Sequence, residues 1–437
     1  MASALVRVGL RENNTPVAVR GQGVYVFDNT GKRYLDGSGG ALIVTIGHGV
    51  AEIGEAVAAQ MKKLSYVFRA HFSNEPAEEL AQMLVSEMPV GFSRVLFTSS
   101  GSEAVEAAIK AARQYHHERG DHGRHKIISR LDSYHGVTLG AMSATGMHAM
   151  KDAGSWRPLQ IPVRHINTVR CDDCPFHLKY PSCQTFCATE LERAIIEEGP
   201  GSVAAFIAEP SRGEEPPPDY WPTIREICDR YGVLLIADEV ACGLWRTGRA
   251  YCVDHWNIVP DLLTFGKATA SGYAPLAGLA MSDKVLDALV NGSGVFLHGH
   301  THSANPMSCA AGLAVQRHVR ANGLDRGVAG RGEILDQALR RVVAKHEICV
   351  ATSGLGLLRQ LALRPPRGTN LTIASLVLEA LSMRFGLISQ YWKAGDRVGF
   401  QLAPPYIISD SQILELEERL DRIIPAFAGW LAANRTS

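Results

Sequence analysis

The stretch PTIREICDRYGVLLIADEV, residues 222–240, joins a helix pattern directly to a strand pattern. Apolar residues recur every three or four positions in its first half, and Gly232 stands where such a helix would end. Its second half is a continuous aliphatic run that closes on Asp238 and Glu239. A short run that is apolar at every position is typical of a strand buried on both faces of a parallel sheet. The stretch therefore predicts one unit of an α/β fold.

The same alternation on both sides of this stretch predicts a large domain over residues 56–305, with a mostly parallel sheet flanked by helices. Helical patterns at 308–323 and 334–346 predict a smaller α+β domain over residues 306–437. Residues 1–55 carry a hairpin-like turn at 29–31 and are predicted to join the smaller domain and a dimer contact. The predicted strands of the large domain are VLFTSS (95–100), HKIISR (125–130), SVAAFIAEP (202–210), VLLIADEV (233–240) and DLLTFG (261–266), with a helix over 104–120.

The charge balance excludes two classes of partner. The 437 residues contain 44 Lys and Arg against 44 Asp and Glu, so the chain has no excess of positive charge for nucleic acid or anionic lipid. No apolar run reaches the length of a bilayer span, and the first residues lack the apolar segment of a secretory signal. The sequence therefore predicts a soluble cytoplasmic protein.

Polar residues follow several predicted strands, where the active sites of parallel sheets gather. Ser100, Gly101 and Ser102 start a helix whose free N–H groups and dipole suit a phosphate. The alternative is ordinary capping, because Ser100 and Glu103 have capping-box spacing. Asp238 ends a buried strand and needs a cationic partner or a metal, or else serves as a cap or in a salt bridge.

Two further strand ends complete the pattern. Tyr134 and His135 lie in a turn where an aromatic ring can stack on a planar ligand or close the core. Lys267 follows a buried strand, so its pKa should fall and its neutral amine become a nucleophile, unless it extends to solvent. A phosphate cradle, an aromatic face, a buried carboxylate and an activated lysine together match the requirements of pyridoxal 5'-phosphate.

With these motifs in this order, the chain resembles the class III (omega) aminotransferases, which are fold type I pyridoxal-phosphate enzymes, over nearly its whole length. The resemblance implies that Lys267 is the Schiff-base lysine and the base that later moves the substrate proton, while Asp238 keeps the pyridine nitrogen protonated. The stretches that carry it are FTSSGSEAVEAAIKAAR (97–113), SYHG (133–136), FIAEP (206–210), VLLIADEVACGLWRTGR (233–249), LLTFGKATASGYAPLAG (262–278), HGHTHSANP (298–306) and LAPPYIIS (402–409).

The resemblance also implies the remaining cofactor contacts. Tyr134, in the same turn as His135, would stack on one face of the cofactor ring and Val240 would pack on the other. Gly101 and Ser102, next to Ser100, would bind the phosphate. Glu209 would lie near the cofactor's phenolic oxygen, its alternative being a strand-end ion pair. Thr301 would reach the phosphate of the neighbouring subunit, which implies a homodimer with shared active sites; a tetramer is the alternative.

The chain departs from the family pattern at Gln401, where many members carry an arginine that binds a substrate carboxylate. Arg212, Arg246 and Arg397 are possible substitutes for it. The donor is therefore expected to be an amine, ω-amino compound or amino acid, with pyruvate or another small 2-oxo acid as acceptor. Decarboxylation, epimerisation or elimination on the same cofactor adduct, or a non-catalytic role, are the alternatives. Ala268 and Trp245 also differ from the family pattern, which predicts an altered pocket shape.

Four cysteines form a local cluster: Cys171, Cys174, Cys183 and Cys187. Their C-x2-C and C-x3-C spacing suits tetrahedral zinc, with His177 as a spare ligand. The alternative is that they are free or pairable thiols, which needs no metal. The chemistry predicted at Lys267 requires no catalytic metal.

Overall fold

The computed structural model describes residues 15–147 and 156–434. The described strands, in chain order, are β1 Ala18–Gln22, β2 Tyr25–Asp28, β3 Arg33–Asp36, β4 Phe92–Thr98, β5 Lys126–Arg130, β6 Val163–Ile166, β7 Val203–Ala208, β8 Leu234–Asp238, β9 Leu262–Phe265, β10 Ala277–Ser282, β11 Cys349–Leu355, β12 Leu358–Leu363, β13 Leu387–Ile388, β14 Gln390–Ala394 and β15 Arg397–Leu402.

The helices surround and connect these strands. They are α1 Gly39–Leu42, α2 Ala51–Lys63, α3 Glu75–Val85, α4 Gly101–Glu118, α5 Leu139–Ala144, α6 Phe186–Glu198, α7 Tyr220–Tyr231, α8 Asp283–Asn291, α9 Pro306–Ala321, α10 Leu324–Lys345, α11 Leu371–Arg384 and α12 Asp410–Ala433. The helix predicted over 334–346 is part of α10, which starts ten residues earlier, directly after Gly323.

A seven-stranded sheet in the order β4-β10-β9-β8-β7-β5-β6 forms the centre of the fold. The strands from β9 to β6 pair in parallel, and β10 runs antiparallel to both of its neighbours. The five predicted strands correspond to β4, β5, β7, β8 and β9, and the sheet is mostly parallel as predicted. Strands β6 and β10 were not predicted, since β6 is short and partly polar and β10 consists mainly of small residues with weak β-propensity.

Helices cover both faces of this sheet. On one face α4 presents a row of fully buried alanines, including Ala104, Ala108 and Ala111, which lets the helix pack closely on the strands. On the other face Trp221 and Ile224 of α7 are fully buried in a larger apolar cluster. Strands β7 and β8 are consequently buried at every position, which explains their unbroken apolar sequence.

The N-terminal strands pack with the C-terminal part of the chain. Strand β13 pairs in parallel with β3, which completes a four-stranded sheet in the order β1-β2-β3-β13. Val24 and Leu35 share one buried cluster with Leu387 and Leu416. An antiparallel sheet in the order β11-β12-β15-β14 lies beside α10 and α11. The domain boundaries at residues 55 and 305 stay predictions.

A search of the described residues found no helix with both the length and the apolar character needed to cross a bilayer.

Phe265 fixes the end of the strand that leads into the candidate site. It is the last residue of β9 and is fully buried. Its ring meets that of Phe97 on β4 edge to face, with 6.1 Å between the ring centroids. Since Lys267 lies two residues further on, this aromatic contact holds the strand end that delivers the lysine.

Replacing Phe265 by alanine should therefore destabilise the fold. We expect Phe265→Ala to lower the free energy of unfolding by about 3–5 kcal/mol, the usual cost of removing a buried aromatic side chain. Val90→Ala is the control, because Val90 is 93% exposed and its loss should change the free energy by less than about 0.5 kcal/mol. Urea titration followed by tryptophan fluorescence measures both, and equal shifts for the two variants would contradict the assignment.

Candidate active site

The carboxyl ends of the central strands and the N-terminus of α4 surround a cavity of about 440 Å³. This volume lies in the range of small-molecule and cofactor sites. Thr301 is not part of the lining in its own chain; it lies exposed before α9, so its role across a subunit boundary stays a prediction. The other predicted site residues line the cavity together: Ser100, Gly101, Ser102, Tyr134, His135, Glu209, Asp238, Val240 and Lys267.

Asp238 ends β8 as a buried carboxylate whose two oxygens both have partners. Its Oδ1 accepts hydrogen bonds from Thr264 Oγ1 at 2.8 Å and from the Val240 N–H at 3.2 Å. Its Oδ2 lies 2.6 Å from His135 Nδ1. The other ring nitrogen of His135 is buried and has no hydrogen-bond partner among the described residues. These contacts fix the orientation of the carboxylate at the wall of the cavity.

Lys267 begins a short 3-10 turn directly after β9. Its φ of +37° lies in the left-handed region, which a non-glycine residue occupies only when its surroundings impose it. The Ser271 N–H, which donates to the Lys267 carbonyl at 3.0 Å, and the Thr269 N–H, which donates to the Gly266 carbonyl, hold this turn. The backbone thereby directs the lysine toward the cavity that it lines.

The environment of Lys267 favours its neutral amine. Burial disfavours the ammonium form and, with the nearby positive charge of Arg212, lowers the pKa of Lys267 from 10.5 to about 8. The negative charges of Glu209 and Asp238 act in the opposite direction. Lys267 therefore loses its proton near pH 8. The sequence predicted a lowered pKa, without a value, from the position of Lys267 after a buried strand.

At the start of α4 the capping alternative is present, and phosphate binding stays a prediction. Ser100 is the N-cap, with its Oγ accepting from the Glu103 N–H at 3.3 Å, so the capping interaction is present. The N–H groups of Gly101 and Ser102 belong to the first helical turn and have no partner within the helix. A Cβ placed on Gly101 would come within 2.8 Å of Val240 Cγ1, so the close approach of Val240 to this turn requires glycine.

Glu209 is buried and bonds to two neighbours at the edge of the cavity. Its Oε2 accepts from the Tyr134 N–H at 3.1 Å, which positions the turn that carries the tyrosine ring. Its Oε1 forms an ion pair with Arg212 NH1 at 3.3 Å. The Arg212 guanidinium carbon lies 5.4 Å from the centroid of the Tyr134 ring. The ion pair that the sequence offered as the alternative for Glu209 is therefore present, and Glu209 also borders the cavity.

A second cavity of about 380 Å³ adjoins the first at Glu209, which lines both. Its walls come from the large sheet, from the residues after β6 and from the β14 region. Arg212 lines this second cavity, so the Glu209–Arg212 ion pair stands at the junction between the two. Other charged and polar residues in its walls are Arg130, Asp132, Arg170, Asp172, Glu214, Gln360, Trp392 and Lys393.

Gln401, which replaces the arginine of the family pattern, is a buried residue of β15. Its Oε1 accepts from Gln360 Nε2 at 3.0 Å, and its Nε2 donates to the Arg359 carbonyl at 3.2 Å. Gln360 Nε2 also donates to the Arg212 carbonyl at 2.8 Å. The amide of Gln401 is thus engaged in a hydrogen-bond network beneath the turn that carries Arg212.

Two of the three possible substitutes for the missing arginine have other partners. Arg246 is buried and donates to the carbonyls of Pro404 at 2.6 Å and Val44 at 3.3 Å. Arg397 pairs with Asp172 at 2.7 Å and with Asp173 at 3.2 Å. Both arginines therefore hold backbone or side chains in place, which leaves Arg212 as the substitute that borders the candidate site.

The sequence assigned no role to Thr264, and for Glu239 it offered only the same alternatives as for Asp238: a cationic partner or a metal, a cap, or a salt bridge. The hydroxyl of Thr264, inside an otherwise apolar strand, was the only signal for its bond to Asp238. Glu239 is buried and accepts the N–H groups of Cys252 and Val253, each at 2.8 Å. Its burial raises its pKa to about 8. Glu239 therefore ties the turn after β8 to the segment around Cys252, beneath the cavity.

The cysteines of the predicted cluster lie together, apart from this site. Cys171, Cys174, Cys183 and Cys187 are free thiols that line a small space of about 20 Å³. Across residues 15–147 and 156–434, no group of three or more His, Cys, Asp or Glu side chains has the geometry to hold a metal ion.

Comparison with known proteins places this chain and its fold in one class. The family described as "Aminotransferase class-III" matches residues 9–424. The uncharacterized aminotransferase YodT of Bacillus subtilis (strain 168) is 36% identical over 437 residues, covering 95% of this chain and 96% of YodT. The taurine–pyruvate aminotransferase of Bilophila wadsworthia (strain 3_1_6) is 33% identical over 427 residues, covering 93% of this chain and 91% of that enzyme.

Solved structures agree with the sequence comparisons. The crystal structure of an (S)-enantioselective omega-transaminase from Thermomicrobium roseum matches with a TM-score of 0.89 at 34% identity, covering 98% of this chain and 96% of that one. The architecture is therefore that of the fold type I transaminases. The chain belongs to the class III aminotransferase family, whose enzymes depend on pyridoxal phosphate.

The lowered pKa of Lys267 is directly measurable in the cofactor-free protein. We expect reductive methylation of Lys267 to reach half of its maximal rate near pH 8, because the neutral amine that reacts predominates above its pKa of about 8. Peptide mass spectrometry after a series of brief exposures at pH 6 to 11 measures the rate, with the exposed Lys62 as an internal reference for the reagent. A midpoint near the ordinary value of 10.5 would show that burial and Arg212 do not act as described.

Proposed function

We propose that this class III aminotransferase binds pyridoxal 5'-phosphate and transfers an amino group from an amine, ω-amino compound or amino acid to a small 2-oxo acid such as pyruvate. The proposed mechanism is a ping-pong exchange in which the donor product leaves before the acceptor binds. The observation that carries the proposal is the meeting of Lys267, with its lowered pKa, and the fixed carboxylate of Asp238 on one cavity.

The residues of the cavity suit this cofactor. The N–H groups of Gly101 and Ser102, which have no partner within α4, would supply a site for its phosphate, and the close approach of Gly101 to Val240 leaves no room for a side chain there. The ring of Tyr134 and the side chain of Val240 supply two apolar surfaces for a planar ring. Lys267 and Asp238 are the amine and the carboxylate that such a cofactor requires.

When bound, pyridoxal phosphate supplies an aldehyde that condenses with amines and a ring that accepts electron density from the substrate. Lys267 in its neutral form is the nucleophile of the site. With cofactor and donor bound, its free amine would take the proton from the donor carbon that bears the nitrogen. Asp238, held by His135 and Thr264, would keep a proton on the ring nitrogen.

We also infer that the active enzyme is a homodimer. Three exposed aromatic side chains lie in one segment, with Tyr66 41%, Phe68 52% and Phe72 66% exposed. Arg69 NH2 donates to the carbonyl of His298, which joins this segment to the residues just before Thr301. A second copy of the chain would cover the aromatic residues and bring Thr301 to the partner's cavity.

Lys267→Ala should abolish turnover without loss of the fold. We expect a decrease of at least about 100-fold in the conversion of an amine and pyruvate, since the variant lacks the proton-transfer base. In the wild-type enzyme, borohydride reduction of the holoenzyme followed by peptide mapping should place the reduced adduct on the peptide that contains Lys267. An adduct on another peptide, or activity retained in the alanine variant, would refute the assignment.

The variant Asp238→Asn tests the role proposed for Asp238, which is to keep a proton on the ring nitrogen of the cofactor. We expect catalysis to fall by about 10- to 100-fold, the loss of a charge-assisted hydrogen bond, while the cofactor still binds. The absorbance of the bound cofactor reports its uptake, and half-reactions with an amine and then with pyruvate or 2-oxoglutarate report transfer in each direction. Unchanged half-reaction rates would remove Asp238 from its role, and substrate loss without amino transfer would favour decarboxylation or elimination.

A further inference from the structure

The guanidinium of Arg212 lies where a substrate at Lys267 would meet the second cavity. Arg212 lines the second cavity, and its ion-pair partner Glu209 lines both cavities. Burial is the largest cause of the lowered pKa of Lys267, and the positive charge of Arg212 is the second largest. Since Glu209 lines the cavity of Lys267 and pairs with Arg212 at 3.3 Å, a small molecule at the junction of the two cavities can meet both groups.

Most of the hydrogen-bonding capacity of Arg212 is still available. A guanidinium carries several N–H donors in a planar fork. Within the described part of the chain, the side chain makes a single hydrogen bond, from NH1 to Glu209 Oε1 at a rather long 3.3 Å. The side chain is 25% exposed, so its remaining donors open on the cavity. A carboxylate is the group that matches such a fork with two parallel bonds.

The turn that carries Arg212 is held from several sides. Glu214 Oε2 accepts from the Arg212 N–H at 2.8 Å, and Ser353 Oγ donates to the Gly213 carbonyl at 2.7 Å. Gly213 has a φ of +103°, and a Cβ there would come within 2.9 Å of Gln401 Nε2. Gln401 is linked through Gln360 to the Arg212 carbonyl. The turn is therefore preorganised, and Gln401 supports Arg212 from below.

We infer that Arg212 binds the carboxylate of the 2-oxo acid acceptor. It would thereby take the role of the arginine that the family pattern has at position 401, where this chain has Gln401. The inference rests on the proposed aminotransferase function of this site. The incoming carboxylate takes the free edge of the guanidinium, while Glu209 remains bonded to the Tyr134 N–H. Arg130 also lines the second cavity and its Nε and NH1 have no hydrogen-bond partner among the described residues, but its side chain is only 2% exposed, against 25% for Arg212. Its NH2 contacts the Glu209 carbonyl at 2.6 Å and Glu214 at 3.3 Å, so the guanidinium that is accessible to a ligand is that of Arg212.

The test compares pyruvate, which carries a carboxylate, with propanal, an aldehyde that carries none. We expect Arg212→Met to lower kcat/KM for pyruvate by about 10- to 100-fold, the loss of a charge-assisted contact, and to change that for propanal by less than about 3-fold. Arg212→Lys should give an intermediate loss for pyruvate, because it keeps the charge without the fork. Arg170→Met is the matched control: it removes a cation from another wall of the second cavity, 3.8 Å from Asp132, and should leave the pyruvate-to-propanal ratio unchanged.

A second measurement does not depend on turnover. Propionate carries the carboxylate but no carbonyl, so calorimetric titration of the holoenzyme reports binding alone. We expect its dissociation constant to rise about 10- to 100-fold in Arg212→Met and not in Arg170→Met. The inference would be overturned if Arg212→Met lowered kcat/KM equally for pyruvate and propanal, or left their ratio unchanged. It would also be overturned if Arg212→Met left the dissociation constant of propionate unchanged. Failure of the wild-type enzyme to transfer nitrogen from any amine, with propionate still bound through Arg212, would instead count against the proposed function alone.

Discussion

The arrangement of this site depends on one constraint, the burial of an amine at the end of β9. A buried ammonium is unstable unless nearby charges compensate it or its pKa falls. Around Lys267 both effects operate, because Arg212 opposes the charged form and the carboxylates of Glu209 and Asp238 favour it. Burial is the largest influence, and the net result is a pKa of about 8, so that the same side chain can act as a nucleophile and as an acceptor of protons near neutral pH.

The strand order explains how residues far apart in the sequence reach this amine. Strands β9, β8, β7 and β5 are consecutive neighbours in the central sheet. Lys267 follows β9, Asp238 ends β8, Glu209 follows β7 and Tyr134 lies in the turn after β5. Each residue therefore stands one strand away from the next, at the same edge of the sheet. The hydrogen bonds from His135 to Asp238 and from the Tyr134 N–H to Glu209 cross these strand ends and make them one structure.

The sequence predicted the parts of this arrangement that depend on local pattern. Buried parallel strands give continuous apolar runs, so β7, β8 and β9 and the polar residues at their ends were recognisable. Strand β10 was missed because small residues such as those of AGLAMS carry little strand preference, and its place is set by pairing with β4 and β9. The sequence offered a strand-end ion pair as an alternative for Glu209, but it did not identify Arg212 as the partner. The network under Gln401 could not be predicted either, since it depends on how the turn after β7 meets β12 and β15, which no local pattern encodes.

The inferred use of Arg212 beside a neutral residue at position 401 has an electrostatic rationale. At the junction of the two cavities each arginine has one acidic partner, with Arg130 beside Glu214 and Arg212 beside Glu209. Gln401 is buried and its amide contacts Gln360 and the Arg359 carbonyl rather than an acid, so a cation at this position would carry a desolvation cost. A neutral amide avoids this cost and donates one hydrogen bond to the Arg359 carbonyl. The site thereby keeps the accessible guanidinium of Arg212. Gln401, which stands where the family pattern has an arginine, helps to hold the turn that carries Arg212.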